Sequence, residues 1–458
     1  MTVTKSLLLN PAHSYGKQQI YMPTSLYIAA SQIINAGIET EIRDLNIDDL
    51  PEDYEVYDVI GITIFGSPYV PGAIKIIDQI RRKSEAPIIL GGQLVNKLPE
   101  NQFKRIFGEK IIKANNNFLA EILGVSSKIS DPYDTSIAPA LETISKNNLE
   151  RYLQNEFGFF LSQGCKHGCN FCPADKQQKE KYRSEKAILE DIVALKTAAK
   201  KLGIKDISLY LSSLDLFQSP QLLEQALSLF VDENNKTTNE VVFHLRGLSR
   251  IDSFVKAVID YPQLRETIRA ANLECIAFGL DGTTEKIWKA QHKSQKNISE
   301  ADQALDLCKN LGIKPEILMV MGFSEDDFYT LLHNYIYTVV RTIQYKGISR
   351  PYLAKPFVPG NKKWRNPEEF KQQIEEIINN PTLFQNLDFA AFGSKLTHPK
   401  AYNRLISNFF YLALITTLEP FGYNTTYPIL PYKKERNIFD RIYNHFTAII
   451  NHLMPADR

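Results

Sequence analysis

One stretch of the sequence reads Leu161-Ser-Gln-Gly-Cys165-Lys-His-Gly-Cys169-Asn-Phe-Cys172-Pro173. Its three thiols are spaced C-x3-C-x2-C, and thiolates are soft ligands suited to iron–sulfur clusters and to zinc. A closed electron-transfer cluster needs a thiolate for each of its four irons. Three thiolates leave one iron without a protein ligand. The spacing therefore predicts a [4Fe–4S] cluster held by Cys165, Cys169 and Cys172, with the open iron completed by a substrate or cofactor.

Zinc is the alternative metal for these thiolates, with His167 as a fourth ligand. His167 lies between the first two cysteines, where closure around one ion is cramped, and the usual second C-x2-C or H-x3-H pair is missing. The pattern thus favours the cluster, and we interpret His167 as a loop residue near it. Cys275, on a predicted strand, and Cys308, on a predicted helix, are interpreted as small buried hydrophobic residues.

The composition is typical of a soluble globular protein without electrostatic bias. The chain has 458 residues, 44% hydrophobic and 23% charged, with 53 Lys+Arg against 52 Asp+Glu. This length predicts two or three domains, and the charge balance gives no field to attract nucleic acid or an anionic membrane. No apolar run approaches the roughly 20 residues that span a bilayer. Five cysteines, three of them within eight residues, indicate metal binding in a reducing compartment, so we expect a cytoplasmic protein.

Residues 1–125 alternate strand-like and helix-like segments, which predicts an α/β fold with a doubly wound, Rossmann-like sheet. In such sheets ligands bind at the carboxyl ends of the strands. Those ends carry the polar and glycine-rich segments Asn10–Gly16, Thr63–Tyr69 and Gly91–Gln93. The predicted elements are Ser6–Leu9, Pro23–Ala36, Glu39–Arg43, Tyr57–Ile64, Gly72–Lys83 and Pro87–Gly92.

A second alternation follows residues 126–150, which are polar and are predicted to be a linker. Residues 151–362 contain six strand–helix units, which predict a partial (β/α)6 barrel with the cysteines after its first strand, at the catalytic face. Residues 363–458 predict a helical, aromatic-rich C-terminal domain. The barrel strands are predicted at Gly158–Ser162, Ile207–Leu211, Val241–Leu245, Cys275–Leu280, Glu316–Met321 and Gly347–Ala354, and the helices at Ser184–Leu202, Pro220–Asp232, Ile251–Ala270, Ser299–Leu311 and Asp326–Tyr345.

The cysteine spacing, with Phe171 just before the third cysteine, resembles that of the radical S-adenosylmethionine (SAM) superfamily. The resemblance implies that SAM chelates the open iron through its amino and carboxylate groups and is cleaved after one-electron reduction. It also implies that Phe171 packs beside adenine, the alternative being a loop anchor without ligand contact. The segment Phe278-Gly-Leu-Asp281-Gly-Thr is similar to the family's Gly-x-Glu-Ser element, with Asp281 in place of Glu and Lys293 at a typical distance.

Other strand ends add to this resemblance. Met321–Ser324 resembles the family's glycine-containing strand end, and Pro356–Gly360 resembles its late Pro-Gly turn. The family's Gly-Gly-Glu motif is absent. The resemblance implies polar contacts to SAM or substrate from Ser212, Ser213, Asp215 and Asp281, and a charge for the SAM carboxylate from Arg246, the alternative being a solvated arginine.

The order of a small parallel α/β domain and then a C-x3-C-x2-C barrel is similar to the cobalamin-binding (B12-binding) branch of that superfamily, over most of residues 5–362. This resemblance implies a cobalamin site that includes Thr63, Gly91, Gly92 and Gln93. His13 partly matches a cobalt-ligating Asp-x-His-x-x-Gly motif, but Pro11 stands at the Asp position. We therefore expect no histidine below the cobalt.

The branch resemblance implies a methyltransferase that acts on an unactivated carbon or a phosphinate phosphorus. One SAM would methylate cobalt, and a second would yield the radical that removes hydrogen from the substrate. One alternative is a radical SAM enzyme with a cobalamin-free N-terminal domain that catalyses a rearrangement, cyclisation or epimerisation. Another is a non-catalytic iron–sulfur sensor or interaction protein. Expected partners are a small-molecule or peptide substrate, capped by the C-terminal aromatic helices, and an electron donor such as flavodoxin or ferredoxin, with no membrane or nucleic acid.

Overall fold

The computed structural model describes residues 3–12, 21–66, 69–114, 124, 129–172, 179–236, 241–354, 401–418, 421 and 423. These residues belong to two compact units. The first unit contains the described residues up to Leu153 together with Arg183–Gly203. The second contains those of Gln154–Tyr182, of 204–354 and of 401–423. In these ranges, no helix combines the length and the apolar character needed to cross a membrane.

The first unit is built on a five-stranded parallel sheet with the order β2-β1-β3-β4-β5. This is a doubly wound order, so the predicted α/β sheet is confirmed. Its inner strands are apolar because both faces are covered, and Leu7 and Leu9 are fully buried. The element predicted at Glu39–Arg43 is a strand at one edge of the sheet. The strands are β1 (Lys5–Asn10), β2 (Glu39–Asp44), β3 (Val59–Thr63), β4 (Ile88–Gly91) and β5 (Ile112–Lys113).

Helices connect these strands. The first one ends just before Gly37, whose φ of +87° is the left-handed conformation that glycine tolerates at helix ends. The described helices of this unit are Thr24–Asn35, Val70–Arg81, Gln93–Lys97, Glu100–Phe107, Ala138–Leu141, Lys146–Leu153 and Glu185–Leu202.

The structure differs from the predicted linker at residues 126–150. Much of its described part is helical and belongs to the first unit, with Ala140 and Leu141 buried. The helix Glu185–Leu202, predicted as a barrel helix, belongs to the same unit. Its buried Asp191 accepts hydrogen bonds from the Ser136 hydroxyl (2.7 Å) and the Arg183 guanidinium (2.6 Å). Long-range bonds of this kind hold these helices in place. The linker prediction failed because a helix of only four residues is too short to show an apolar periodicity in the sequence.

The second unit is built on a six-stranded parallel sheet with the order β13-β12-β11-β10-β9-β6. Each strand lies beside its successor, as predicted for an opened βα barrel. A short antiparallel pair, β7 (Ser162–Gln163) with β8 (Lys181–Tyr182), interrupts the first crossover. The parallel strands are β6 (Phe157–Phe160), β9 (Asp206–Ser212), β10 (Val242–Ser249), β11 (Leu273–Gly279), β12 (Lys314–Met321) and β13 (Ile348–Leu353).

One predicted helix of this unit is two helices. Ile251–Asp260 and Pro262–Ala270 are separate because Pro262 has no N–H to continue the first and takes the first position of the second. Cys275 and Cys308 are fully buried, as predicted. Of the predicted C-terminal domain, the helix Ala401–Leu418 is present, while Tyr427 and Tyr432 lie outside the described residues. The other helices are Pro220–Lys236, Glu285–Ala290, Ile298–Leu311 and Phe328–Gln344.

Candidate functional site

The cysteine loop begins at the carboxyl end of β6 and is closed at its base by the β7–β8 pair. Ser162 pairs with Tyr182 and Gln163 with Lys181 in that ladder. Gly164 follows it with φ +103°, and a Cβ there would lie 2.6 Å from the Lys179 carbonyl oxygen. A side chain at this position is thus excluded by both conformation and space.

Cys165, Cys169 and Cys172 are half-buried free thiols on this loop. Burial raises the pKa of the Cys165 thiol to about 11, so bound metal would have to supply the charge that stabilises its thiolate. Among the described residues, no three His, Cys, Asp or Glu side chains converge on a point that suits a single ion. A cubane makes a different demand, since each thiolate binds its own iron. The soft donor set of three thiols on one loop therefore fits a [4Fe–4S] cluster.

His167 does not join the thiols as a fourth ligand. Its Nε2 lies 3.4 Å from Oδ2 of Asp215, a fully buried carboxylate. Asp215 also accepts hydrogen bonds from the Ser249 hydroxyl (3.0 Å) and the Ser253 hydroxyl (2.6 Å). Asp215 was predicted to contact a ligand, but its oxygens serve this internal network.

The loop is fastened to its own unit on two sides. Gln218, after β9, accepts a hydrogen bond from the Lys166 backbone N–H (3.2 Å) and donates one to the Gly164 carbonyl (3.0 Å). Asn170 donates from its side chain to the Ala290 carbonyl (2.6 Å), after β11. These bonds hold the loop across the carboxyl ends of neighbouring strands, where ligands of such sheets bind.

Ser212 and Ser213 lie at the end of β9, beside the loop. The Ser213 hydroxyl is 3.3 Å from Oε1 of Glu180, which also accepts a 2.6 Å bond from Ser162. Burial raises the pKa of Glu180. The structure thus brings the predicted serines to the site and adds a carboxyl group that the sequence analysis did not identify, because Glu180 precedes a two-residue strand without a recognisable pattern.

Arg246, predicted as a charge for the SAM carboxylate, lies among buried carboxylates. It lies within β10 rather than at its end, and its guanidinium bonds to Glu316 (2.6 and 2.9 Å) and to Glu156 (3.0 Å). Arg350 also contacts Glu316, at 2.8 Å. Burial opposes the ionisation of Glu316, but the charges of Arg350 and Arg246 outweigh it and hold its pKa below the ordinary value. The solvated alternative for Arg246 is wrong, because the side chain is buried in a charge network, and its contact with SAM stays a prediction.

Arg250 is the basic residue that stands at the true end of β10. Its Nη1 lies 3.2 Å from Sγ of Cys169, and its Nε and Nη2 bond to Asp252 at 2.9 and 3.2 Å. The sequence analysis missed it because β10 was predicted to end at Leu245, and the strand continues to Ser249.

Asp281 and Lys293 form an ion pair of 2.5 Å just beyond β11, and both side chains are nearly inaccessible. Lys293 also donates to the Gly279 carbonyl. Asp281 has φ +55°, a left-handed conformation that is uncommon for a residue with a side chain. In this conformation the Asp281 carboxylate contacts the Lys293 ammonium group. The polar group predicted at this strand end is therefore an ion pair and not a single carboxylate.

Phe171 is half-buried and packs against Phe323, with ring centroids 5.8 Å apart at 50°. Phe323 follows β12, in the turn that Asp326 holds by accepting bonds from the Gly322 and Phe323 backbone N–H groups (2.8 and 2.9 Å). This contact is the anchoring arrangement for Phe171, and the adenine contact stays a prediction. Pro356–Gly360 and His13 lie outside the described residues.

The first unit has a cavity of about 180 Å³ against its own sheet. It is far larger than the roughly 10–15 Å³ that one water needs. Thr63, Gly91 and Gly92 line it at the strand ends, and Ala29 lines it from the helix Thr24–Asn35. Gln93, also predicted to bind cofactor, is exposed and does not line the cavity.

A family model supports the assignment of the second unit. Residues 159–333 match the Radical SAM superfamily. This domain implies a [4Fe–4S] cluster and SAM, which agrees with the three half-buried thiols. No curated protein matches the sequence.

Three of the solved structures with a similar fold are of radical SAM enzymes, all at low sequence identity. The radical SAM methyltransferase TsrM from Kitasatospora setae, with cobalamin and a [4Fe–4S] cluster bound, has a TM-score of 0.61 at 16% identity over 79% of this chain and 77% of that one. TsrM with tryptophan substrate and a SAM analogue bound gives 0.61 at 16%, over 80% and 76%. The cobalamin-dependent SAM radical enzyme OxsB, with aqua-cobalamin bound, gives 0.62 at 14%, over 99% and 74%. At these identities the likeness is one of fold.

Proposed function

We propose that this chain, whose residues 159–333 are a radical SAM domain, is a cobalamin-dependent radical SAM methyltransferase acting on an unactivated carbon. The substrate would be a small molecule or a peptide, and the electron would come from a protein such as flavodoxin or ferredoxin. The observation that carries the proposal is the pairing of two features in one chain. One is a three-thiol loop at the carboxyl edge of a parallel βα sheet, and the other is a cavity against a doubly wound sheet.

In this proposal Cys165, Cys169 and Cys172 hold the cluster. When bound, the cluster supplies the electron that cleaves SAM, and cobalamin carries the methyl group. The chain itself keeps the loop in place through Gln218 and Asn170. The polar groups proposed to contact SAM or substrate are those at neighbouring strand ends, namely Ser212, Ser213, Glu180 and the Asp281–Lys293 pair.

The cavity of the first unit is proposed to take the tail of cobalamin. The cavity extends along one face of the sheet, from Ser6 and Val59 near the beginnings of two strands to Thr63 and Gly91 at the ends of two strands. Its end at Thr63 and Gly91 lies at the carboxyl edge, where doubly wound sheets bind ligands. Glycines at 91 and 92 let the backbone approach a bulky ligand, and Thr63, which lines the cavity beside them, is the proposed polar partner. Similar folds in TsrM and OxsB, both solved with cobalamin bound, support this use of the unit.

A second candidate is radical chemistry without methyl transfer. The fold of this chain is also similar to that of OxsB, which is described as a cobalamin-dependent SAM radical enzyme. This similarity of fold supports radical chemistry and does not select methyl transfer. The two candidates differ in products. Methylation consumes SAM to S-adenosylhomocysteine and gives a methylated product, while a rearrangement, cyclisation or epimerisation leaves the methyl group on methionine.

The test is anaerobic reconstitution with iron, sulfide and cobalamin, followed by absorbance, metal analysis and mass spectrometry of SAM products. We expect about four irons and about one cobalamin per chain, and deoxyadenosine formation after reduction. Cys169→Ala should abolish SAM cleavage, whereas Cys308→Ala, a buried cysteine outside the loop, should retain it. Cleavage retained in Cys169→Ala would refute the cluster assignment. A reconstituted protein without cobalamin would refute the methyltransferase.

A further inference from the structure

Arg250 places its guanidinium directly against one of the loop cysteines. The distance of 3.2 Å between its Nη1 and Sγ of Cys169 is that of a hydrogen bond to sulfur. The residue is only 7% exposed, so water screens this interaction little. Arg250 thus brings a positive charge into direct contact with the sulfur of Cys169.

Hydrogen bonds on the side away from the sulfur fix the orientation of this guanidinium. Its far edge, Nε and Nη2, forms a two-point contact with Asp252, and Nη2 also donates to the Ser294 hydroxyl at 2.5 Å. Ser294 in turn donates to Asp252. The Arg250 backbone N–H is bound to Asp215 at 3.1 Å. The positive end of the Arg250–Asp252 pair therefore faces the sulfur, and the negative end faces away.

We propose that Arg250 is a positioning residue that raises the reduction potential of the cluster, by donating a hydrogen bond and presenting positive charge to the Cys169 thiolate. Reduction adds one electron, hence one negative charge, to the cluster. Hydrogen bonds to the sulfurs and nearby charge are among the factors that set such potentials. Arg250 stabilises the more negative, reduced state, which makes the electron easier to deliver. This inference rests on the proposed function only in that the three cysteines hold the cluster.

Neighbouring charges support this role for Arg250 in particular. The guanidinium of Arg246 is committed to Glu316 and Glu156, at distances of 2.6 to 3.0 Å, and therefore presents no hydrogen bond to the loop. Lys293 is committed to Asp281. Arg250 alone of these three cations has a donor on a loop thiol in the part of the chain that the structure describes.

The experiment is a redox titration of the reconstituted protein, followed by electron paramagnetic resonance of the reduced cluster. Arg250→Met removes both charge and donor, so the midpoint potential should shift to more negative values. Asp252→Asn removes the negative charge behind the guanidinium, while Ser294 still holds it, so the midpoint should shift the opposite way. Arg250→Lys keeps the charge and should lie between the wild type and Arg250→Met.

The matched controls are Arg341→Met and Asp302→Asn. They break a similar two-point arginine–aspartate contact (2.8 and 2.9 Å) in the same unit, with no thiol contact. We expect the wild-type midpoint in both. Iron content is measured for every variant, and SAM cleavage is compared with a weak and a strong reductant. Arg250→Met should lose activity more with the weak one.

Unchanged midpoints in iron-loaded Arg250→Met and Asp252→Asn would overturn the proposal. If Arg250→Met does not load iron, the other two variants decide, and wild-type midpoints in both would equally overturn it. Failure of the wild-type protein to bind a cluster would be a different result, because it would refute the proposed function itself.

Discussion

At Gly91 the chain has room for a side chain that it does not carry. A Cβ there would meet only the Ala114 Cβ, at 3.5 Å, which is ordinary contact. Packing requires glycine at position 92, where a Cβ would lie 2.6 Å from the Ile64 carbonyl oxygen, while a Cβ at Gly61 would meet the Leu8 side-chain tip at 2.6 Å. Packing among the described residues does not require glycine at position 91, and we propose that the cavity's occupant does.

Replacing Gly91 with leucine should leave the fold intact and weaken cobalamin binding by at least about tenfold, or about 1.4 kcal/mol. The added side chain would occupy space that the cofactor needs. Gly91→Ala is the matched control, since a single methyl group fits, and it should bind nearly as well as wild type. The measurement is titration with cobalamin, followed by absorbance. Equal affinity in all three proteins would place the cofactor elsewhere.

Glu316 holds two arginines and is completely buried. Glu316→Gln removes the charge between Arg246 and Arg350, and we expect a loss of about 3–5 kcal/mol in stability, because breaking a buried ion pair leaves an uncompensated charge. Asp302→Asn, in a partly exposed pair, should cost no more than about 1 kcal/mol. Urea denaturation compares the two. Similar small losses in both would mean that the buried network is replaceable.

At the scale of elements, the end of β10 decides which arginine meets the cluster loop. The apolar run Val241–Leu245 identified the strand but not its end, because Arg246 is charged and its partners Glu156 and Glu316 are distant in sequence. Ion pairs of this kind allow a charged residue to be buried inside a sheet. They cannot be recognised from a local sequence pattern, because the partners are far apart in the sequence. Because the strand boundary was predicted four residues too early, the prediction chose Arg246 and overlooked Arg250, whose guanidinium contacts Cys169.

The turn after β12 is held by Asp326, and burial raises the pKa of this residue to about 6. A folded-state pKa above the unfolded value means that the unfolded chain ionises first as pH rises. The stability contributed by this group therefore falls as pH rises from about 4 to about 6, and it stays lowered at higher pH. Asp326→Asn does not titrate and keeps an oxygen for Gly322 and Phe323. Relative to wild type, it should gain about 1–1.5 kcal/mol between about pH 5 and about pH 7.5, measured by thermal unfolding.

The neighbouring residue provides a control of opposite sign. The Thr330 backbone N–H and Lys286 hold the pKa of Asp327 below its ordinary value. Its stabilisation is therefore present above the unfolded pKa and is lost as the pH falls. Asp327→Asn should become less stable relative to wild type as pH rises. The same pH trend in both variants would contradict the account of Asp326.

At the scale of the molecule, the candidate cofactor sites belong to different compact units, each with its own parallel sheet. Cys169→Ala should lose the cluster and still bind cobalamin within about twofold of wild type, since the two candidate sites have no residue in common. Gly91→Leu should show the reverse, with full iron content and weakened cobalamin binding. Metal and cobalamin contents of the two reconstituted variants give the answer. Loss of both cofactors in either variant would indicate a single interdependent site.

Much of this architecture could be predicted from the sequence. Alternating apolar segments gave both parallel sheets, and the cysteine spacing located the loop. The helices at 138–141 and 146–153 were missed because their stability comes from tertiary contacts, such as the 2.7 Å bond between Tyr152 and Asp44, rather than from local periodicity. Pairings between distant residues, such as those of Arg250 and Glu180, follow from the fold and are invisible in a single sequence.

The double fastening of the cysteine loop bears on how the protein acquires iron and recovers from losing it. Gln218 and Asn170 hold the loop by bonds that involve no sulfur, so these bonds do not depend on a bound metal. Oxygen damage that strips the metal then need not unravel the chain. Reassembly of the cluster would then require only iron, sulfide and electrons, and the loop would not have to refold.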